Sequence, residues 1–237
     1  MARISLLVLS MKTTTRLEPT MIRKAQTSGP ARPRNDSGAP RELVSASSAA
    51  DIVSLPERRC LALDGAGSPK EPAFGQAIGA LYGVAYALKF SRKKAGRSDF
   101  KVAPLEGRWW AEGASHTRGR PAPDKWRWRV RIGVPADVTG DDLERIKNDV
   151  FTKKRGKLEG SPVVPRVFLE SIPAQRVGRV LHVGPYDEED GSFALIASVL
   201  DQAGLEAAPT HIEVYLNDPS RTPPKALKTV LLRELAR

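Results

Sequence analysis

The chain is 237 residues long, 41% hydrophobic and 27% charged, with 38 Lys and Arg against 27 Asp and Glu for a net charge of +11. Those proportions describe one or two folded domains with ample core, and no apolar run approaches the roughly 18 residues that a membrane-spanning helix needs. A single cysteine, Cys60, excludes an internal disulfide framework and a multi-cysteine zinc site.

Residues 1–57 mix Ser, Thr, Pro, Ala and Arg without helical or strand period and are expected to form a disordered basic tail ahead of a folded body over 58–237. The run Ile4-Ser5-Leu6-Leu7-Val8-Leu9 is shorter than the roughly 7–15 residues of a signal core, and no small-x-small site directly follows it. Met11 and Met21 offer alternative starts. A cytoplasmic protein with no membrane partner is expected. Basic knots at Arg92, Lys93, Lys94 and Arg97 and at Lys153, Lys154, Arg155 and Lys157 read as solvated helix ends, so no nucleic-acid partner is expected either.

The body opens with a short strand, Leu61-Ala62-Leu63, and a Gly65-Ala66-Gly67 turn. Ser68-Pro69-Lys70-Glu71 fits a capping box for a helix carrying Phe74, Ile78, Leu81, Tyr82, Ala85 and Leu88 at helical spacing. Its many Ala and Gly residues suit close packing on a sheet. Extended segments are expected at Phe100-Lys101-Val102 and over 105–111. The alternation Trp126-Arg127-Trp128-Arg129-Val130-Arg131-Ile132 predicts a strand with Trp, Val and Ile on one face and Arg on the other. A helix over about 139–155 follows, with Asp141, Asp142 and Glu144 in its first turn, and then strands near 166–171 and 176–183.

After the Gly184-Pro185-Tyr186 turn, Asp187-Glu188-Glu189-Asp190 opens a helix with Phe193, Ile196, Val199 and Leu200 on one side. Strands over 211–216 and 227–235 flank an Asn217-Asp218-Pro219 turn. Strand, turn, helix, strand, strand therefore occurs twice, over 61–111 and 179–235, which predicts two related β-α-β-β halves with a ligand groove between them.

All four tryptophans lie in two short segments, Trp109 with Trp110 and Trp126 with Trp128. They form either a flat apolar wall for a planar ligand or simply core. His211, Glu213 and Tyr215 share one face of a strand, which is either a candidate site or a solvated outer face. In an apolar groove Glu213 serves as a proton-transfer group or attracts a cation, and Tyr215 donates a hydrogen bond. His116, His182, His211 and Cys60 lack the spacing of metal ligands, and no phosphate, dinucleotide or nucleophile-elbow motif is present.

Several motifs resemble the GyrI-like small-molecule-binding family, particularly its stand-alone members. They are Ala80-Leu81-Tyr82-Gly83-Val84-Ala85-Tyr86-Ala87-Leu88-Lys89-Phe90, Pro104-Leu105-Glu106-Gly107-Arg108-Trp109-Trp110, His182-Val183-Gly184-Pro185-Tyr186-Asp187-Glu188-Glu189 and Ile212-Glu213-Val214-Tyr215-Leu216-Asn217-Asp218-Pro219, continuing into Arg221-Thr222-Pro223-Pro224-Lys225-Ala226-Leu227-Lys228-Thr229. The resemblance covers about 58–235 and implies an α+β fold of two β-α-β-β modules with pseudo-two-fold symmetry and a central ligand groove.

It also implies binding of bulky, planar aromatic or cationic small molecules for sequestration or detoxification, as in multidrug binding, without a cofactor or metal. A stand-alone subgroup is similar to hydrolases that open cyclopropane-bearing DNA-alkylating compounds with groove carboxylates and aromatic residues. By motif position Glu213 matches the family's central groove glutamate, with Tyr215 on the same strand. Glu106, Trp109 and Trp110 match the first module's pocket motif, Tyr186 the turn before the second helix, and Tyr82 the first helix. The catalytic candidates are thus Glu213, Glu106 and Tyr215, and the ligand-binding candidates Trp109, Trp110, Tyr186, Glu213, Tyr215 and Tyr82. Glu213 or Glu106 would deprotonate a water, and Tyr215 or Tyr186 would polarise the group gaining negative charge. The natural ligand and the oligomeric state stay open.

Overall fold

The computed structural model describes residues 38–97, 99–111, 125–153 and 161–236. Among them, strands β1 (Asp51–Leu55), β2 (Arg58–Ala66), β3 (Leu105–Ala111), β4 (Trp126–Val134), β5 (Phe168–Ile172), β6 (Gln175–Val183), β7 (Ala207–Tyr215) and β8 (Lys228–Leu235) form one antiparallel sheet. Its order is β1-β6-β8-β7-β3-β4-β2-β5. The helices are α1 (Arg41–Val44), α2 (Pro72–Lys94), α3 (Gly140–Lys153) and α4 (Asp190–Gln202). None is long and apolar enough to cross a membrane.

The expected duplication is visible in the strand order. One module is β2-α2-β3-β4, the other β6-α4-β7-β8, and their strands run β2-β4-β3 and β6-β8-β7 outward-in toward a shared β3–β7 seam. The first module differs in detail from the reading at 61–111. Phe100-Lys101-Val102 forms no strand; Phe100 is buried and its carbonyl accepts from Lys89 Nζ at 2.5 Å, tying this segment back to α2. The strand pair is instead β3 with β4, across the 112–124 segment. Arg118, Arg120 and His116 lie outside the described residues.

Local chemistry explains the principal elements. Ahead of α2, the Ser68 N–H donates to Glu71 Oε1 at 3.0 Å and the Lys70 N–H to Ser68 Oγ at 3.2 Å, so the predicted box closes a turn just before Pro72 starts the helix. The small residues Ala77, Ala80, Gly83 and Ala85 then let α2 lie close to the sheet, where Leu61, Leu63, Val130 and Ile132 are fully buried. Burying Leu81 and Leu88 alone contributes about 1.5–3 kcal/mol each. Thr139 and Asp142 exchange side-chain to backbone bonds at the start of α3.

Two long ribbons close the sheet. Only Pro56 and Glu57 separate β1 from β2, and only Pro173 and Ala174 separate β5 from β6. Their register runs through both breaks: Leu55 faces Gln175 and Arg58 faces Ile172. Strands six places apart in a flat sheet lie roughly 29 Å from each other, whereas the three Cα steps from Leu55 to Arg58 reach at most about 11 Å. The sheet therefore curls until its two ends meet.

The boundary expected at residue 57 moves toward the N-terminus. β1 pairs with β6, Leu43 and Leu55 are buried, and Arg179 holds Asp51 through two bonds at 2.8 and 2.9 Å. Gly38, at φ +68°, lies against Gly133; a Cβ on it would sit 2.5 Å from the Gly133 backbone. No periodicity marks this stretch because its strand is five residues long and its partner lies more than a hundred residues downstream.

Of the arginines alternating with Trp126, Trp128, Val130 and Ile132, Arg129 and Arg131 meet acidic residues from β2 and β5. Arg131 reaches Glu170 at 2.6 Å, and Arg129 reaches Asp64 at 2.6 Å and Glu170 at 2.7 Å. Burial alone would raise the Glu170 carboxyl, but Arg131 and Arg129 outweigh it and hold the group below its usual range. Cys60 lies in the same layer, and burial, reinforced by Glu106, pushes its thiol up to about 12, which makes it inert.

Candidate functional site

The groove lies over the β3–β7 seam between α2 and α4, with a volume of about 2380 Å³. Enclosed drug sites measure about 300–1,000 Å³, so this is an open slot and not a closed cavity. Strand alternation fixes its floor. Gly107 faces Glu213, Leu105 faces Tyr215 and Trp109 faces His211 across the seam. These residues line the groove, apart from Gly107, whose missing side chain creates the space that the others use. A Cβ there would sit 2.7 Å from Trp109 Nε1 and 3.0 Å from the Tyr215 hydroxyl.

Over that glycine runs a hydrogen-bonded chain. Trp109 Nε1 donates to the Tyr215 hydroxyl at 3.3 Å, and Tyr215 donates to Glu213 Oε2 at 2.7 Å. His211 Nε2 lies 3.0 Å from Glu213 Oε1. The Glu213 side chain is 13% exposed, so its carboxylate is fixed from two sides yet still open to the slot. Burial, followed by the Glu213 charge, holds the Tyr215 hydroxyl well above its ordinary pKa. Its proton is directed at Glu213 Oε2, so in this arrangement the Tyr215 hydroxyl orients that carboxylate.

Aromatic rings make the walls. Trp109 packs against Phe74 at 5.3 Å and edge-on to Trp126 at 5.9 Å. Tyr186 stands edge-on to Tyr215 at 5.7 Å. On α2, Tyr82, Tyr86 and Phe90 stack one turn apart, and the last two are exposed. Burial raises the hydroxyls of Tyr82 and Tyr186, the latter aided by the charges of Glu213 and Glu189. Both tyrosines are therefore neutral donors at physiological pH. Trp110 also borders the slot, with the Arg108 guanidinium 5.6 Å from its ring.

The structure thus gathers Tyr82, Trp109, Trp110, Tyr186, Glu213 and Tyr215 around one slot. Glu106 is the exception. It precedes Gly107 on β3 and so emerges on the other side of the sheet, where it is 1% exposed and 2.5 Å from the Arg58 guanidinium. It does not line the groove, and the catalytic assignment to Glu106 is corrected to a buried ion pair. Trp128 is core: it is 1% exposed and lies flat over Gly65.

Trp126, one of the tryptophans offered as either wall or core, stands in the wall, whereas sequence reasoning missed Phe74 as a wall residue and Phe193, Glu189 and Arg233 on the second module's side. Their signal was present only as helical or alternating spacing, which does not distinguish a groove wall from core. Among the described residues, no group of three or more His, Cys, Asp and Glu side chains is placed to hold a metal ion.

The sequence matches the family model described as GyrI-like small molecule binding domain over residues 49–232. The fold resembles an uncharacterized conserved protein from Listeria innocua, at 30% identity and a TM-score of 0.73. It also resembles a hydrolase from Listeria innocua, at 28% identity and a TM-score of 0.70. Each comparison covers 83% of this chain and 96% of the other. No curated protein matches the sequence.

Proposed function

The chain belongs to the GyrI-like small molecule binding domain family, and on that premise we propose that its groove takes up bulky, planar aromatic or cationic compounds for sequestration or detoxification. The observation that carries this reading is Glu213, fixed by His211 and Tyr215 on the floor of a slot walled by Trp109, Tyr82 and Tyr186. Ring faces favour both flat apolar ligands and cations, and a partly desolvated carboxylate adds charge attraction that bulk water would screen. Titration with a planar cationic dye such as rhodamine tests it through quenching of tryptophan emission. Saturable one-to-one binding that weakens at least about tenfold in Glu213→Gln is expected; non-saturable quenching indifferent to that substitution overturns the reading.

A second reading, hydrolysis of cyclopropane-bearing DNA-alkylating compounds, is favoured by the same carboxylate and by the likeness to the Listeria innocua hydrolase. Glu213 removes a proton from a water, whose oxygen bonds to a ring carbon as the strained carbon–carbon bond breaks. The released electron pair moves onto the ligand's conjugated acceptor, which Tyr186 polarises before the proton returns. Ring strain resides in the ligand, so positioning supplies much of what catalysis needs. Incubation with excess alkylator separates the two: many turnovers per protein support hydrolysis, and protection that stops at one equivalent supports sequestration.

A further inference from the structure

A receptor for lipophilic cations has no use for an arginine in its wall, yet the half-buried Arg233 lines this groove. β8 sets it opposite His211, and its guanidinium lies 4.9 Å from the centre of the Phe193 ring on α4. Five arginines elsewhere on the sheet face carboxylates: Arg58 faces Glu106, Arg108 Glu234, Arg129 Asp64, Arg131 Glu170 and Arg179 Asp51. No described carboxylate lies within 4.0 Å of Arg233. Burial with no compensating charge pulls its pKa down, which marks a cation held at a cost in solvation.

The nearest acid on the same floor, Glu213, is already engaged by His211 and Tyr215. It faces Leu231, two residues from Arg233 on β8, and such diagonal positions lie about 7–8 Å apart. The slot therefore carries a fixed anion and, at the diagonal position on the neighbouring strand, a cation with no carboxylate partner. A guanidinium offers only donors, so its complement is an oxygen rich in electrons.

We infer that Arg233 determines specificity by receiving an anionic or strongly electron-rich acceptor oxygen, such as a sulfonate, phenolate or conjugated carbonyl, at one end of a planar aromatic ligand whose other end lies at Glu213. This rests on the groove being the binding site proposed above and narrows its ligand class. In the hydrolytic reading, the same oxygen collects the electron pair released by ring opening, and a fixed guanidinium stabilises that charge as it develops.

The test uses two dyes with the same rings, anilinonaphthalene sulfonate and the uncharged phenylnaphthylamine, which differ by the sulfonate alone. Affinities are measured by dye emission for the full chain, Arg233→Gln and Arg233→Lys, with Ala194→Trp as a variant that fills the groove. The unmodified protein is expected to prefer the sulfonate, with the ratio of affinities falling at least about tenfold in Arg233→Gln and partly recovering in Arg233→Lys. A merely structural Arg233 would shift both affinities together and leave the ratio unmoved. An equal ratio in the unmodified protein, or one unchanged by Arg233→Gln, overturns the inference while the groove stands. Phenylnaphthylamine binding that ignores Ala194→Trp overturns the groove reading itself.

Discussion

Replacing Tyr215 with Phe removes one oxygen from the centre of the groove's hydrogen-bonded chain while keeping the ring that packs against Tyr186. At neutral pH the loss has two parts. The Glu213 carboxylate gives up a donor at 2.7 Å, and the Trp109 N–H loses its acceptor at 3.3 Å. A hydrogen bond to a charged group contributes about 1.5–3 kcal/mol net, and the weaker indole bond adds little, so a destabilisation of about 2–3 kcal/mol is expected.

The same oxygen works against the unmodified protein in alkali. An unfolded tyrosine ionises near pH 10, whereas burial and the Glu213 charge keep folded Tyr215 protonated well beyond that. A folded pKa raised above the unfolded value means stability that is fully present below about pH 10 and is lost as pH rises toward the folded pKa, at up to about 1.4 kcal/mol per pH unit. Tyr215→Phe carries no such penalty, and the contributions of Tyr82 and Tyr186 are common to both proteins. Urea unfolding followed by tryptophan emission should therefore give a gap of about 2–3 kcal/mol at pH 8 that shrinks by about half at pH 11. A gap that stays constant with pH, or a variant as stable as the parent at pH 8, refutes the reasoning.

A chain beginning at residue 58 loses Leu43 and Leu55, each 1% exposed, and uncovers the β6 edge; a loss of about 3–6 kcal/mol and increased light scattering are expected, and an unchanged melting temperature would contradict the fold described. Glu170→Gln leaves Arg131 and Arg129 short of an anion and should lower stability by about 3 kcal/mol at neutral pH. Because the folded Glu170 carboxyl is held below its unfolded range, this contribution is present above about pH 4.5 and is lost as pH falls, so the parent and variant should converge in acid. Parallel acid-unfolding curves would argue that the cluster is not set by this charge.

How far the sequence could be read depended on whether each signal was local. The alternation around Trp128 and the trio His211, Glu213 and Tyr215 reported strand faces directly, and the structure keeps those faces. Alternation does not say which strand lies alongside, so Glu106 and Glu213 looked equally suited to one groove. The register that puts Gly107, not Glu106, opposite Glu213 sends the two carboxylates to opposite sides of the sheet. Strand β1 escaped notice because five residues carry too little pattern, and Phe100 mimicked a strand because a buried aromatic in an extended loop has the same spacing. Arg233 and Phe193 meet only through tertiary packing, so neither residue's spacing announced the other.

The continuous pairing of β1-β2 with β5-β6 acts as a clasp between the repeats. Each repeat hands its leading strand across to its sibling, so swinging the two apart to widen the cleft would unzip a ladder on the far side of the molecule. A solitary repeat, with that leading strand unmatched, would find its complement only in another copy of itself, and the fused chain has the connectivity of such a strand-exchanged pair written into one polypeptide.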